Sequence, residues 1–373
     1  MSDKSEIPIV VLIRSTSLVY DSRFLRAESV MKKLNINTYS FGLLRQDKFQ
    51  KPPELQKDHS LFLSSGQHGD GIKNLLGYCR WNFWLVPRIL RAKPSLIYMC
   101  DFDSFLAVTV TKFIQPRVKI IFDEFDPITT RPIPMMLMHV INIVQKIFFN
   151  IVDNFIFPSA ERIYKQKIES RSFVVNNMPD EHFLVYEQQA NNNSIFYGGL
   201  LSAERGLETF LKVISNQDIW TVTVAGYGPL EDHIKLLADS HPEVISYAGA
   251  MRHDLLMECS AKSSLILATY DPGIGNSLQL ASNKYYEAIL LKRPILACNR
   301  TAIGEKVASE KIGWTFDFND EEDIAKVLEK IHQQYSELWT EFSANLSKLE
   351  SEIEIQSARR MLPSIINNLL EVS

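Results

Sequence analysis

The sequence has little glycine, few cysteines and no long apolar run. Only 15 of its 373 residues are glycine, against an average usage of about 7%, so each glycine cluster is informative. The four cysteines lie far apart and form no C-x-x-C pair, which argues against a zinc site or a disulfide framework and predicts reduced thiols. No 18 apolar residues run uninterrupted, so we expect no membrane-spanning helix.

The signature motifs of several enzyme classes are also missing. The chain contains no G-x-G-x-x-G, no G-x-x-x-x-G-K-[ST] and no H-E-x-x-H, which disfavours a dinucleotide-dependent dehydrogenase, a P-loop NTPase and a zinc protease. The first residues, MSDKSEIPIVVLIR, hold too short an apolar run for a signal peptide and show no cleavage pattern. We therefore expect a cytoplasmic protein, with possible peripheral attachment at the inner face of the membrane.

The overall composition is that of a globular protein with an uneven charge. Hydrophobic residues make up 46% of the chain and charged residues 23%, and the length favours two domains. Residues 1–178 hold 24 Lys and Arg against 16 Asp and Glu, whereas the whole chain carries a net charge of −4. A basic first half suits an anionic partner such as a membrane surface, although ordinary unevenness between domains gives the same numbers. The basic residues form no dense run interleaved with aromatics, so no nucleic-acid partner is expected.

Apolar strand-like runs alternate with helical patterns along the whole chain. This alternation is typical of βαβ units, and it predicts an α/β protein with parallel sheets covered on both faces. Strands are predicted at 7–13, 37–42, 95–100, 118–123, 154–159, 172–177, 194–199, 220–226, 244–249, 264–270, 293–298 and 313–318. The two halves share one rhythm, which predicts two Rossmann-like domains that face each other across a cleft.

A polar stretch interrupts this rhythm and divides the predicted domains. The expected parts are an N-terminal acceptor domain (1–178), a linker (179–193), a C-terminal donor domain (194–350) and a final helix that returns to the first domain (351–373). Segments 74–93 and 131–152 combine apolar or aromatic residues with basic ones. Each segment fits an amphipathic helix in a membrane interface, and equally an ordinary core-facing helix.

Two loops in the second half have the chemistry of an anion site. After the strand at 194–199, Gly198 and Gly199 allow close approach of a ligand to the backbone, and Arg205 begins the next helix. After the strand at 264–270, Gly273 and Gly275 form a pliable loop. Ser282 or Asn283 is then expected to cap a helix whose first turns carry Lys284 and Glu287. Glu287 would complement the helix dipole or accept hydrogen bonds from a ribose.

The second half resembles the nucleotide-binding domain of GT-B glycosyltransferases, specifically the retaining family 4. The matching stretches are YGGLLSAERGLETFL (197–211), VAGYGPLEDHI (224–234), YAGAMRHDLL (247–256), SNKYYEAILLKRPILA (282–297) and GEKVASEKIGWTF (304–316). Residues 21–41 and the FDEFDP stretch extend the resemblance into the first half. The resemblance implies the GT-B fold, in which two Rossmann-like domains face each other across a cleft.

The resemblance also assigns roles to residues. It places Arg205 on the donor diphosphate, together with Lys284, and Glu287 on the ribose, as the second glutamate of an E-x7-E motif. Gly249, Ala250, Met251 and Arg252 fall where the base is cradled, and the loop Asp271–Asn283 falls where the donor sugar is wrapped. The acceptor-side candidates are Ser15, Thr16, Asp21, Arg23, Asp123 and Glu124, with Asp126 as a catalytic candidate.

Three positions depart from the family pattern. Gln279 replaces the first glutamate of E-x7-E, so contacts with the donor sugar differ in detail. Gly199 stands where many members carry a further arginine, and Phe125 stands where a histidine is common. A histidine-assisted mechanism is therefore not expected. Asp101-Phe102-Asp103 is also a DxD triplet, which binds a metal in the unrelated GT-A fold, but that fold lacks a second Rossmann-like half.

The sequence thus predicts a retaining, metal-independent glycosyltransferase that uses a UDP- or GDP-type sugar and no cofactor. Its expected partners are the nucleotide sugar, a saccharide or lipid-linked acceptor and an anionic membrane surface, as in polysaccharide biosynthesis. Two alternatives stay open. A nucleotide-sugar epimerase would need histidines in the loops, and none is expected there. A non-catalytic nucleotide-sugar-binding subunit would be compatible with Gln279 and Phe125.

Overall fold

The computed structural model describes residues 7–16, 18, 21–45, 59–64, 71–128, 133–163, 168–179, 193–274 and 282–371, with backbone only for 45 and 71–75. The chain divides into two compact units. The first comprises Met1–Asn176 and Gln356–Ser373, and the second comprises Asn177–Ile355.

The first unit is built on a seven-stranded parallel sheet. Its elements are β1 (Ile9–Arg14), α1 (Ser22–Lys33), β2 (Asn37–Arg45), β3 (His59–Ser64), α2 (Gly71–Ala92), β4 (Leu96–Cys100), α3 (Phe105–Ile114), β5 (Lys119–Asp123), α4 (Met135–Phe149), β6 (Asn154–Phe157) and β7 (Ser172–Val174). The strand order is β3-β2-β1-β4-β5-β6-β7. All six pairings are parallel, so the direction of strand addition reverses between β1 and β4.

One face of this sheet is covered by α2, α3 and α4. Trp81 and Leu85 of α2, Val108 of α3 and Phe148 of α4 pack in one cluster with strand residues such as Ile97. Trp81 is fully buried, and its indole nitrogen donates to Ser104 Oγ at 3.0 Å. The apolar face of each helix is therefore used to cover the sheet, which is the usual requirement of an α/β layer.

The second unit repeats this plan with six parallel strands. Its elements are β8 (Ser194–Leu200), α5 (Leu207–Ser215), β9 (Thr221–Tyr227), α6 (Glu231–Ser240), β10 (Ile245–Gly249), α7 (His253–Lys262), β11 (Leu265–Ala268), α8 (Asn283–Leu291), β12 (Ile295–Cys298), α9 (Ala302–Glu310), β13 (Gly313–Phe316) and α10 (Glu321–Ile353). The order β10-β9-β8-β11-β12-β13 reverses between β8 and β11, and every pair is parallel.

The chain ends in α11 (Ala358–Glu371), which belongs to the first unit. Leu362, Ile365 and Ile366 of α11 join the cluster on the second face of the first sheet, with Phe24 and Met31 of α1. Burial of these side chains stabilises α11 by roughly 1.5–3 kcal/mol for each large apolar residue. The last helix thus completes the covering of the first sheet.

The α/β fold class and the presence of two Rossmann-like domains are confirmed, while the cleft between them stays a prediction. Each predicted strand corresponds to an observed one, with ends shifted by at most a few residues. The strand β3 (HSLFLS) was not predicted, because it lies at the sheet edge and polar residues stand at both of its ends. Most of the predicted linker, 180–192, lies outside the described residues.

Candidate functional site

The reversal of strand order in the second unit brings two loops together. In open α/β sheets, ligands bind outside the carboxyl ends of the strands where the order reverses. Here the loops after the neighbouring strands β8 and β11 are joined directly, because the backbone N–H of Asp271 donates to the carbonyl of Glu204 at 2.9 Å. The short 3-10 turn Ala203–Arg205 is thereby held beside the start of the second loop.

Arg205 lies over an aromatic side chain from the adjacent strand end. Its guanidinium carbon is 4.4 Å from the ring centroid of Tyr270, a cation–π distance. The Arg205 Nε atom is buried and has no hydrogen-bond partner among the residues that the structure describes. Because buried donors are nearly always paired, an orphan guanidinium nitrogen indicates a place for an acceptor from a ligand.

Lys284 adds a second cation from the first turn of α8. The residue is 9% exposed, and its Nζ atom lies 4.7 Å from the ring centroid of Tyr197 and 6.0 Å from that of Tyr270. A Cβ atom at Gly199 would lie 3.1 Å from the same Nζ. Glycine at 199 therefore leaves room for the Lys284 ammonium, which supplies a positive charge next to the position where many family members carry arginine.

The two cations form an electropositive cluster. In the described part of the chain, neither Arg205 nor Lys284 forms an ion pair. Burial alone would raise the pKa of Tyr270, but the positive charges of Lys284 and Arg205 lower it. Burial raises the pKa of Tyr197, against the opposing effect of the same two cations. Such a field attracts a polyanion.

Glu287 lies one turn further along α8 and is bonded to a histidine. Its Oε1 atom is 3.1 Å from His253 Nε2, and the two side chains are 16% and 20% exposed. His253 is the first residue of α7, so the contact joins the loop after β10 to α8. The epimerase alternative was disfavoured because no histidine was expected in these loops. His253 shows that this expectation was wrong.

Ser282, one of the two predicted capping residues, occupies the N-cap position of α8, and Asn283 is the first helical residue. The Ser282 side chain makes no bond to the helix amides. Its hydroxyl is instead 2.9 Å from the Tyr270 hydroxyl, which ties the loop after β11 to the helix start.

The other donor-side candidates lie in β8, at the end of β10 and in the segments that follow β10 and β11. Gly249 has a φ of +74° and no atom within 4 Å of a Cβ placed on it, so a flat ligand can approach its backbone. Ala250 and Met251 follow it, whereas the Arg252 guanidinium bonds Asp254 at 2.7 Å. Asp271 Oδ1 accepts from the Gly273 amide at 2.7 Å. Gly275 and Gln279 lie outside the described residues, and Gly198 immediately precedes Gly199 in β8.

The first unit has a polar cluster at its own reversal point, after β1 and β4. Arg14 bonds both Asp21 (2.7 Å to its Nε) and Asp101. Ser15 donates to Asp103 at 2.5 Å. The two carboxylates of the DxD triplet are thus engaged with Arg14 and Ser15. Among the described residues, no group of three or more His, Cys, Asp or Glu side chains is arranged to hold a metal ion.

Asp101 fixes the backbone of the loop that follows β5. Its Oδ1 atom accepts from the amides of Phe125 and Asp126 at 2.8 and 3.1 Å. Burial raises the pKa of Asp101 to about 6, against the opposing charge of Arg14. The Phe125 ring lies close to two guanidinium groups. Its centroid is 4.3 Å from the guanidinium carbon of Arg14 and 5.1 Å from that of Arg23. The Asp126 side chain, in contrast, is exposed.

The remaining acceptor-side candidates are largely engaged inside the first unit. Arg23 binds Asp123 at 2.7 Å, and both are almost fully buried. Asp21 also caps α1 by accepting from the Phe24 amide at 3.0 Å. Thr16 accepts from the Leu43 amide through its carbonyl, and Glu124 is 2% exposed. These contacts give the buried members a structural role at the carboxyl edge of the sheet.

Comparison with known proteins agrees with this architecture. Residues 191–334 match the family described as glycosyl transferases group 1. The matched residues lie within the second unit. Comparison with curated protein sequences gave no significant match.

Solved structures of glycosyltransferases share the fold of the whole chain. The sucrose-phosphate synthase of Thermosynechococcus elongatus is 12% identical with a TM-score of 0.64, and the alignment covers 98% of this chain and 100% of that one. WaaG, a glycosyltransferase involved in lipopolysaccharide biosynthesis, is 12% identical with a TM-score of 0.62, covering 98% and 100%. Anabaena HepE, solved in complex with UDP and glucose, is 13% identical with a TM-score of 0.62, covering 98% and 99%. The fold is therefore GT-B.

Sequence reasoning missed three residues of this site. Tyr197 and Tyr270 present the rings under the two cations, and His253 bonds Glu287. The available signal was an aromatic residue within β8 and another two residues beyond the end of β11, the two strands that flank the reversal point. A tyrosine at such a position is equally typical of strand core until the strand order is known.

Proposed function

We propose that this protein transfers a sugar from a nucleoside-diphosphate sugar to a saccharide or lipid-linked saccharide, with retention of configuration and without a metal. One observation carries the proposal. Within the matched segment, Arg205 from the 3-10 turn after β8 and Lys284 from the first turn of α8 lie over tyrosine rings, and a buried guanidinium nitrogen has no partner among the described residues. A pyrophosphate would satisfy that arrangement.

The chemistry of the site follows from where charge develops. When the glycosidic bond to the diphosphate breaks, negative charge grows on the leaving oxygen. Preorganised cations and the positive end of the α8 dipole stabilise that charge without reorganising during the reaction. Tyr197 and Tyr270 keep Arg205 and Lys284 in place before the donor arrives, because the side chains rest on the rings.

Glu287 is proposed to hold the ribose of the donor. A carboxylate accepts two hydrogen bonds from a vicinal diol, and the bond to His253 keeps the carboxylate oriented. The loop from Gly249 to Met251 is proposed to lie against the base. On the first unit, the exposed Asp126 is proposed to face the acceptor, in a protein that works in the cytoplasm on polysaccharide or glycoconjugate synthesis.

The decisive experiment separates three activities. The protein is screened by thermal shift against UDP-, GDP- and ADP-sugars, and the stabilising donor is then incubated with it. Release of nucleoside diphosphate, greatly slowed by Arg205→Gln, supports a transferase. Conversion into an isomeric nucleotide sugar would identify an epimerase, and binding with neither outcome would identify a binding subunit. Absence of any donor binding would overturn the proposal.

A further inference from the structure

The outer face of α2, α3 and α4 in the first unit exposes much apolar surface. Of the eighteen large apolar side chains found exposed in the described residues, eleven lie on these three helices. Helix α4 contributes most. Its residues Met136, Val140, Ile143 and Ile147 repeat at helical spacing on one face and are 49–87% exposed.

This stripe is separate from the side of α4 that covers the sheet. Ile141, Val144 and Phe148 of α4 pack on the sheet cluster, so α4 is apolar on both sides. A helix of that kind is normally buried on both sides. Large exposed apolar patches mark contact surfaces, so the outer stripe of α4 is a surface built for a partner.

The aromatic residues of α2 contribute less to this surface than the sequence suggests. Trp81 is fully buried, Trp84 stacks on it at 5.4 Å between centroids, and Phe83 alone of the three is exposed. On α3, Phe113 and Ile114 are exposed. The apolar surface is therefore centred on α3 and α4, with Phe83 at its α2 side.

The charge of the same three helices has a single sign. Their sequences contain no Asp or Glu and six basic residues, whereas α10 in the second unit carries eight acidic residues within 33. Arg80, Arg91 and Lys146 point to solvent. A second copy of this chain is a poor occupant, because a two-fold contact would place like charges against each other. A partner that presents anionic groups over an apolar interior would match both the exposed apolar stripe of α4 and the basic charge of the three helices.

We propose that the outer face of α2, α3 and α4 docks on an anionic lipid bilayer. The stripe of α4 would lie at the boundary between headgroups and acyl chains, as an interfacial helix does. Arg80, Arg91 and Lys146 would lie near the lipid phosphates, and each basic residue raises binding to an anionic surface by about fivefold. The inference rests on the proposed function only for the idea of a lipid-linked acceptor, since docking itself needs no donor.

Vesicle flotation of the full chain tests this docking without any sugar nucleotide. Vesicles contain phosphatidylcholine alone or with one third phosphatidylglycerol. We expect binding to the anionic vesicles at low salt, at least about tenfold weaker binding to the neutral ones, and loss of binding at high salt. Failure of the wild-type chain to bind anionic vesicles would overturn the proposal and would leave the donor-site assignment untouched.

Matched substitutions locate the surface. Ile143→Glu with Ile147→Glu should lower binding at least tenfold, and Arg80→Glu with Lys146→Glu should do so without touching the apolar stripe. The control is Leu236→Glu, at a 65% exposed position of α6 in the second unit, which should bind like wild type. Unfolding temperatures confirm that each variant is folded. Unchanged binding of both double variants would refute the assigned face.

A natural cysteine gives a direct readout of insertion. Cys79 is exposed on α2, while Cys100 and Cys298 are buried. In a Cys259→Ser background, a polarity-sensitive dye on Cys79 should shift to shorter wavelength when anionic vesicles are added. Light scattering of the protein without vesicles tests the alternative occupant of this face, a second copy of the chain. A dimer that dissociates in the Ile143→Glu variant would show that a second copy, and not a bilayer, covers the face.

Discussion

Replacement of Arg205 or Lys284 by glutamine tests the central assignment. Two unit charges 4 Å apart interact by about 4 kcal/mol at an effective dielectric constant of 20. Glutamine can still donate a neutral hydrogen bond to the diphosphate, so only part of this interaction energy is lost. We expect each variant to lose about 100-fold in kcat/KM for the donor, or about 2.7 kcal/mol.

The same substitutions should leave the free protein stable. Arg205 and Lys284 lie 4.4 and 6.0 Å from the centroid of one tyrosine ring, Tyr270. Removing either cation loses a cation–π contact of about 0.5–1 kcal/mol but relieves like-charge repulsion of similar size. We therefore expect the unfolding temperature to change by less than about 4 °C.

The assay measures nucleoside diphosphate release at varied donor concentration, with calorimetric binding in parallel. Lys212→Gln is the control, because Lys212 is an exposed lysine of α5 that pairs with Glu321 at 2.6 Å. It should behave like wild type. Donor turnover within about threefold of wild type in both Arg205→Gln and Lys284→Gln would refute the reasoning.

Three further predictions concern orientation, pH and backbone space. His253→Phe should raise KM for the donor about tenfold with little change in unfolding temperature, and an unchanged KM would remove its role in orienting Glu287. Burial would raise the pKa of Glu28, but hydrogen bonds from His59, Ser40 and Lys32 lower it from 4.5 to about 2. The ionised carboxylate thus adds stability above about pH 4.5 that is lost as the pH falls through 2, and Glu28→Gln should remove about 2 kcal/mol at pH 7. Urea unfolding of both proteins at pH 7 and at pH 2 checks this prediction. A loss of stability on Glu28→Gln that is equal at the two pH values would contradict it. Gly226→Ala should cost about 3 kcal/mol or more, because φ is +150° and the new Cβ would lie 1.8 Å from the Gly199 carbonyl oxygen. The control Gly249→Ala meets no atom within 4 Å and should cost only about 1 kcal/mol, so equal losses would contradict the steric argument.

Local patterns were sufficient for most of the fold. Strand β12 (ILAC) is fully apolar and β5 (KIIFD) has an apolar centre, and turn residues bound both strands, so their positions follow from short windows of sequence. The edge strand β3 has no such pattern and was missed. The candidate residues Arg205, Lys284 and Glu287 were found because glycine-rich loops and a family resemblance marked their segments.

The sequence by itself determined which segments form strands and helices, that the chain repeats one βαβ plan, and which loops hold cations and glycines. Only the tertiary structure decided that Arg205 and Lys284 lie over Tyr270, that Lys284 approaches Gly199, and that His253 bonds Glu287. Hydrophobic periodicity depends on neighbours a few residues apart, so a sequence reveals it directly. Contacts between residues 14 to 85 positions apart depend on the order of strands in the sheet, which no local pattern encodes.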